Sequence, residues 1–344
     1  MKLTHRVLAA VLCAAAGFAA AQEKPVTLKF SYWVPAQHPI ATKGILPWAE
    51  AITSASGGTI RFAYFPSAQL GKAEDHYDMV KDGIADVGWL NPGFNPGRWP
   101  VAAALQIPLL ASSPVGGSAA FTEWYAPYAA KEMADVKVCF GHQIGPISFS
   151  SASKKVVMPE DLSGMKIRPS SAMEALYLRQ MGAAAVPGAF PETRELISRG
   201  VIDGTTGVYG SLISFGADKV TKHHLAIPFS MASYVVAINK AKYESLSPRQ
   251  KKAIDDHCNA EAAQRFATPL FEFEHHGLQA LRERKDGREV TMPTPQILAA
   301  WKAKVPAVQA EWAKDVKSRG YEPEALMGQL RKALAKYNAL LADN

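Results

Sequence analysis

Short runs of alternating apolar and polar positions fill the first two thirds of the chain and predict strands. Residues 28–31 (Leu-Lys-Phe-Ser) and 59–66 (Thr-Ile-Arg-Phe-Ala-Tyr-Phe-Pro) read this way. Residues 74–81 follow with a helical pattern. Asp82-Gly-Ile-Ala-Asp-Val-Gly-Trp89 then predicts a turn feeding another short strand. The same order returns later. Gly164-Met-Lys-Ile-Arg168 is a strand, residues 172–181 a helix and residues 183–186 a strand. Residues 191–198 are again helical and lead into Arg199-Gly-Val-Ile-Asp-Gly-Thr205. Gly83 and Gly200 are expected as helix C-terminal caps. Asp86 and Asp203 are expected to tie the following loop to the strand through side-chain hydrogen bonds. Strand–helix–strand units predict an α/β architecture with largely parallel sheets, and two copies predict two similar lobes. Residues 233–239 form a further apolar strand, expected to cross between the lobes.

Beyond Tyr243 the period changes. Ser247-Pro-Arg-Gln opens a helix with a capping serine and a proline in its first turn. Ile254, Cys258, Ala262, Phe266 and Leu270 recur every four residues. They predict one long helix continuing toward Phe273, kinked at Pro269 and long enough to span both lobes. Glu272 and Glu274 are read as solvated charges on it. Residues 295–317 and 322–342 are further helical stretches, with Trp301 and Trp312 assigned to the core.

The amino terminus reads as an address. Lys2, His5 and Arg6 precede an Ala-rich apolar run, and Ala19-Ala-Ala21 fits a small-residue cleavage site. This is the pattern of a secretory signal peptide over residues 1–21, with Cys13 inside it. Cleavage after Ala21 removes Lys2 and Arg6, which lowers the formal charge from +7 to +5. No cluster of basic residues interleaved with aromatics appears, so nucleic acid is not expected as a partner. No later run approaches the ~20 apolar residues of a membrane span. Cys139 and Cys258 remain after cleavage. An oxidising compartment permits their pairing, but two cysteines do not make a disulfide scaffold, and buried thiols are the expectation.

The motifs of catalysis are missing: there is no Gly-x-Ser-x-Gly, His-Glu-x-x-His, P-loop or Gly-x-Gly-x-x-Gly pattern. The doublets His223-His224 and His275-His276 lack metal-ligand spacing, because adjacent side chains point in different directions. Neither a metal nor a cofactor is expected, and the chain is not read as an enzyme. What remains is binding equipment. Arg168 ends a strand whose Met165 and Ile167 face the core. It is placed there to clamp an anion, since its guanidinium offers a planar fork matching a carboxylate. Tyr32, Trp33 and His38 follow the first strand, and Trp89 and Asn91 follow the Asp86 strand. Tyr209 follows Asp203, and Tyr234 lies in the crossing strand. Arg98, in Pro96-Gly-Arg-Trp-Pro100, and Gln143 are further polar candidates. Aromatic walls with a few polar anchors line small-molecule clefts.

These segments resemble the periplasmic solute-binding subunits of tripartite ATP-independent periplasmic (TRAP) transporters, of the dicarboxylate-binding type. The likeness rests on Leu28-Lys-Phe-Ser-Tyr-Trp33, Pro66-Ser-Ala-Gln-Leu-Gly71 and Gly83-Ile-Ala-Asp-Val87. It continues through Pro159-Glu-Asp-Leu-Ser-Gly-Met-Lys-Ile-Arg168, Gly200-Val-Ile-Asp-Gly204 and Val235-Val-Ala-Ile-Asn-Lys240. The resemblance implies a two-lobed fold with crossing hinge strands and a lobe-spanning helix. It also implies closure on an organic anion held by Arg168, and delivery to membrane permease subunits from the periplasm. Lobe I is expected over residues 22–150 and 232–268, lobe II over 151–231 and 269–344. Two departures stand out. Pro146-Ile-Ser-Phe-Ser-Ser-Ala-Ser153 lacks the second arginine that dicarboxylate binders carry before the stretch matched by Lys154-Lys155. Gly207-Val-Tyr209 stands where many members have an asparagine. The expected ligand is therefore a small monocarboxylate, aromatic or a hydroxy or keto acid. An ABC-type receptor or a sensor subunit for an organic anion is the alternative.

Overall fold

The duplicated strand–turn unit is built the same way twice. In the first copy the Asp86 carboxylate accepts the Lys29 backbone N–H at 2.8 Å, and Lys29 Nζ donates to the Gly83 and Ile84 carbonyls. In the second, Asp203 accepts the Lys166 N–H at 2.7 Å, and Lys166 Nζ donates to the Gly200 carbonyl. Gly83 and Gly200 have φ of 75° and 68°, a left-handed conformation that glycine adopts without a Cβ clash.

The computed structural model describes residues 23–341, so the segment read as a signal peptide lies outside the described residues. The α-helices of six residues or more are numbered. The first half contains β1 (Val26–Ser31), α1 (Leu46–Ala55), β2 (Ile60–Phe65), α2 (His76–Lys81) and β3 (Val87–Leu90). Helix α3 (Pro114–Glu132) leads into β4 (Val136–Ser151). The second half holds β5 (Lys166–Arg168), α4 (Ala172–Gln180), β6 (Ala184–Ala185), α5 (Thr193–Ser198), β7 (Gly204–Gly207) and α6 (Tyr209–Ser214). Strand β8 (His223–Asn239) precedes α7 (Pro248–Asp255), α8 (Ala260–Glu283), β9 (Glu289–Thr291), α9 (Pro295–Lys302), α10 (Val305–Ser318) and α11 (Pro323–Lys336).

All nine strands form one sheet in the order β2-β1-β3-β8-β4-β7-β5-β6, with β9 beside β8. Strand β1 pairs in parallel with β2 and β3, and β5 with β6 and β7. Two long antiparallel strands join these parallel halves. β8 pairs with β3 through residues 235–238, β4 with β7 through residues 148–151, and the two pair with each other along most of their length. They are the crossing connections of a mixed, two-lobed α/β fold. Their register shifts between Ile144 and Ile147, where the Gly145–Pro146 peptide is cis.

Alternation along β8 feeds both faces. Val235 and Ala237 join the cluster containing Phe121, Trp301 and Trp312, whereas Tyr234, Val236 and Ile238 join the one containing Phe30, Trp48 and Phe266. Trp301 and Trp312 are fully buried, as assigned from sequence.

Two expectations need correction. The four-residue stripe does not make one helix from Ser247 onward. The chain breaks after Asp255, and Asn259 starts α8 afresh by accepting the Ala262 N–H at 2.9 Å. Helix α8 then runs through Pro269 for 24 residues. The break also turns Cys258 back toward β4, where it is bonded to Cys139 across a sequence separation of 119 residues. The cysteines are a disulfide, not two buried thiols. Trp48 Nε1 donates to the neighbouring His257 carbonyl at 2.9 Å and holds the same turn. Among the described residues no helix is long and apolar enough to cross a membrane.

Candidate functional site

The carboxyl ends of four parallel strands converge on one place. The loop after β1 brings Trp33, Val34 and His38, and the loop after β3 brings Phe94. The end of β5 and its following loop bring Arg168 and Ser170, and the end of β7 and its following loop bring Gly207 and Val208. Ile144 and Ile147 of β4 and Ala232 and Tyr234 of β8 close the floor between them. An inner cavity of about 40 Å³ adjoins an outer cleft of about 820 Å³; both are walled by Trp33, Phe94, Arg168 and Ser170. Strand carboxyl ends at a change of strand order are where open α/β sheets bind ligands.

Arg168 is 2% exposed, yet no carboxylate among the described residues forms an ion pair with it. Its Nε and Nη1 donate to the Gly188 and Thr206 carbonyls, each at 3.0 Å. The Phe190 ring lies 4.9 Å from the guanidinium carbon. Burial lowers the pKa of the group to about 10, with Glu174 the main opposing influence. Glu174 is itself buried and accepts from Ser170 N at 3.0 Å, from Thr206 Oγ1 and from Ser230 Oγ. It therefore holds the backbone around the arginine without neutralising it through a direct bridge. Three of the five guanidinium N–H bonds are left for a ligand.

Three more polar groups of the inner wall lack a partner among the described residues: Trp33 Nε1, His38 Nε2 and Ser170 Oγ. Tyr234 is buried there too, and burial raises its hydroxyl pKa well above the usual phenol range.

A model of the family described as bacterial extracellular solute-binding protein, family 7, matches residues 30–315. The chain belongs to this family. Its C4-dicarboxylate-binding periplasmic relative DctP of Rhodobacter capsulatus is 24% identical, covering 91% of this chain and 96% of its own. Among solved structures, a marine-metagenome TRAP solute-binding protein specific for aromatic acid ligands, in complex with metahydroxyphenylacetate, has a TM-score of 0.86. It is 29% identical over 91% of this chain and 99% of its own. A TRAP solute-binding protein of Rhodoferax ferrireducens with copurified benzoate also has a TM-score of 0.86, at 27% identity and 91% and 98% coverage. This family 7 chain is thus a solute-binding subunit of the TRAP type. Proteins of this kind are periplasmic carriers that serve membrane permeases, not enzymes.

The candidates read from sequence separate into three groups. Arg168, His38 and Tyr234 line the cavity. Trp89 and Asn91 stand behind its wall. Trp89 stacks on Trp33 at 5.0 Å and on Tyr234 at 4.3 Å, and its Nε1 donates to His142 Nε2 at 2.7 Å. Asn91 accepts the Gly93 N–H at 2.8 Å and so shapes the turn that presents Phe94. Tyr32, Tyr209, Gln143 and Arg98 are placed elsewhere. Tyr32 is in the core beside Phe30. Tyr209 packs edge-on to His224 at 5.8 Å. Gln143 donates to the Leu105 carbonyl and to Ser233 Oγ. Arg98 pairs with Asp78 through two contacts of 2.7 Å and lies over Tyr77 and Trp99.

Glu274 corrects another expectation. Glu272 is exposed, but Glu274 is only 5% exposed and accepts from Ser211 N at 3.1 Å and Ser211 Oγ at 2.7 Å. Ser211 lines the inner cavity. Burial raises the Glu274 pKa to about 7 against the Ser211 hydrogen bonds, which lower it. The folded state therefore binds this proton more tightly than the unfolded chain. Stability from this group is fully present below about pH 4.5 and falls as pH rises through 7. Glu274→Gln is expected to be more stable than the parent at pH 8, by about 2–3 kcal/mol. It should also flatten the pH dependence of melting between 5 and 7. Identical melting profiles for the two proteins would discard the assignment.

Proposed function

We propose that this chain captures a small organic acid with a single carboxylate on an aromatic or otherwise apolar body, and hands it to TRAP permease subunits in the periplasm. The observation that carries this reading is Arg168: a buried guanidinium with N–H groups to spare and no carboxylate partner among the described residues. A charge held in that state destabilises the empty site, and an entering anion relieves it. The inner wall contains no second arginine or lysine, which favours one carboxylate over two. Trp33, Phe94, Phe190, Phe215 and Tyr234 favour a flat apolar remainder. The aromatic-acid ligands of the two similar structures agree with that choice. In this reading lobe I comprises residues 22–150 and 232–268, lobe II 151–231 and 269–344, and closure bends β4 and β8.

Thermal melts with benzoate, 3-hydroxybenzoate and succinate test the proposal. A ligand at a hundredfold excess over Kd adds about 2.7 kcal/mol, so a true ligand raises the melting temperature visibly. Benzoate or 3-hydroxybenzoate is expected to do so and succinate to do less. A larger shift with succinate would overturn the monocarboxylate reading.

A further inference from the structure

The cavity holds more donors than a carboxylate at Arg168 uses. His38 Nδ1 accepts the Ile40 backbone N–H at 3.3 Å, so it carries the lone pair. Burial holds the ring pKa down to about 4, and the imidazole is neutral at ordinary pH. The single ring proton is then on Nε2, which donates and has no partner among the described residues. His38 is 4% exposed. Its ring is fixed by stacking on Phe215 at 5.3 Å and by the edge of Phe273 at 5.9 Å. It is a buried donor, held by ring contacts, with no acceptor for its proton among the described residues. Trp33 Nε1 is in the same position: its ring stacks on Trp89, and its buried N–H has no partner among the described residues.

These donors sit in the loop after β1, whereas Arg168 ends β5 and Ser170 follows it. They reach the cavity from the opposite half of the sheet. A carboxylate seated on the guanidinium fork is satisfied by the fork and the Ser170 hydroxyl. The β1 side then still presents N–H groups whose desolvation is uncompensated unless the ligand brings a second acceptor.

We propose that the acid held at Arg168 is an aromatic acid carrying a ring hydroxyl, whose oxygen accepts a hydrogen bond from His38 Nε2, with Trp33 Nε1 as the second donor of that wall. This rests on the monocarboxylate reading above and adds the class of ligand. The body of the acid lies between Arg168 and His38. An unsubstituted ring leaves His38 unpaired in the complex, and a methyl group of similar size does the same while occupying the space.

The test is calorimetric titration of the whole mature protein with matched pairs: 3- and 4-hydroxybenzoate against 3- and 4-methylbenzoate, and the same pairs of phenylacetates. At least one hydroxy acid is expected to bind about tenfold or more tightly than its methyl partner, the penalty for leaving a buried donor unpaired. His38→Asn keeps an acceptor for the Ile40 N–H but has no Nε2, and Trp33→Phe keeps the stack but has no N–H. The hydroxyl preference, read as the hydroxy-to-methyl affinity ratio within each variant, is expected to fall to within about threefold in His38→Asn and to weaken in Trp33→Phe. Methyl acids binding as tightly as every hydroxy partner overturn the inference, as does a preference that survives both substitutions. If the acids bind irrespective of substituent, only this inference falls; if none binds, the monocarboxylate reading falls with it.

Discussion

Arg168→Met is expected to abolish carboxylate binding while leaving the unliganded fold close to its original stability. The binding loss follows from the clamp. With the guanidinium gone, an entering carboxylate is surrounded by Phe190, Phe94 and Trp33 with no opposite charge on the wall. Stranding one member of a buried pair costs roughly 3–5 kcal/mol, or about two to four decades in Kd. The stability of the empty protein is a separate balance. Methionine leaves the Gly188 and Thr206 carbonyls without their donor, which costs about 1–3 kcal/mol. It also removes a charge that burial already disfavours. The two largely offset. Calorimetry with a hydroxybenzoate and a melt of the apo variant read the two quantities independently. A variant that binds within threefold of the parent would show that Arg168 is not the clamp.

Loss of the Cys139–Cys258 bond is the second large effect. The bond closes a loop of well over a hundred residues, from the middle of the sheet to the start of α8. A cross-link over so long a segment stabilises chiefly by removing conformations from the unfolded chain, by about 2–5 kcal/mol. The double variant Cys139→Ala/Cys258→Ala, or the parent under reductant, should melt roughly 5–10 °C lower. Neither cysteine lines the cavity, so the affinity of the folded protein for its acid should be unchanged. Equal melting temperatures with and without reductant would show that the bond contributes nothing.

Local chemistry was legible in the sequence; facing was less so. Asp86, Asp203, Gly83 and Gly200 could be read because their roles are satisfied within the strand–turn unit that names them. Arg168 could be read because a strand end and a bracketing proline fix where it stands. Position after a strand does not say which side of the loop a residue occupies. Tyr32 and Trp33 are neighbours, yet the first enters the core and the second the cavity. The partner of Arg98, Asp78, is twenty positions away, and no local pattern announces it. Phe190 and Phe215 belong to segments without strand periodicity and were missed. Glu274 did have a signal: it stands four residues after Leu270 and continues the apolar stripe. That spacing points inward despite the charge, and the Ser211 hydrogen bonds offset part of the cost of burying it.

Helices α6 and α8 meet backbone to backbone where Gly210 faces Gly277. A Cβ added at Gly277 would lie 2.3 Å from the Gly210 nitrogen, so backbone rests on backbone, and Glu274 bolts the same crossing through Ser211. Phe273 of α8 touches His38, and Ser211 of α6 forms part of the cavity wall. The longest helix among the described residues is thus joined directly to one wall of the cavity, and a rotation of that helix is expected to carry the wall with it.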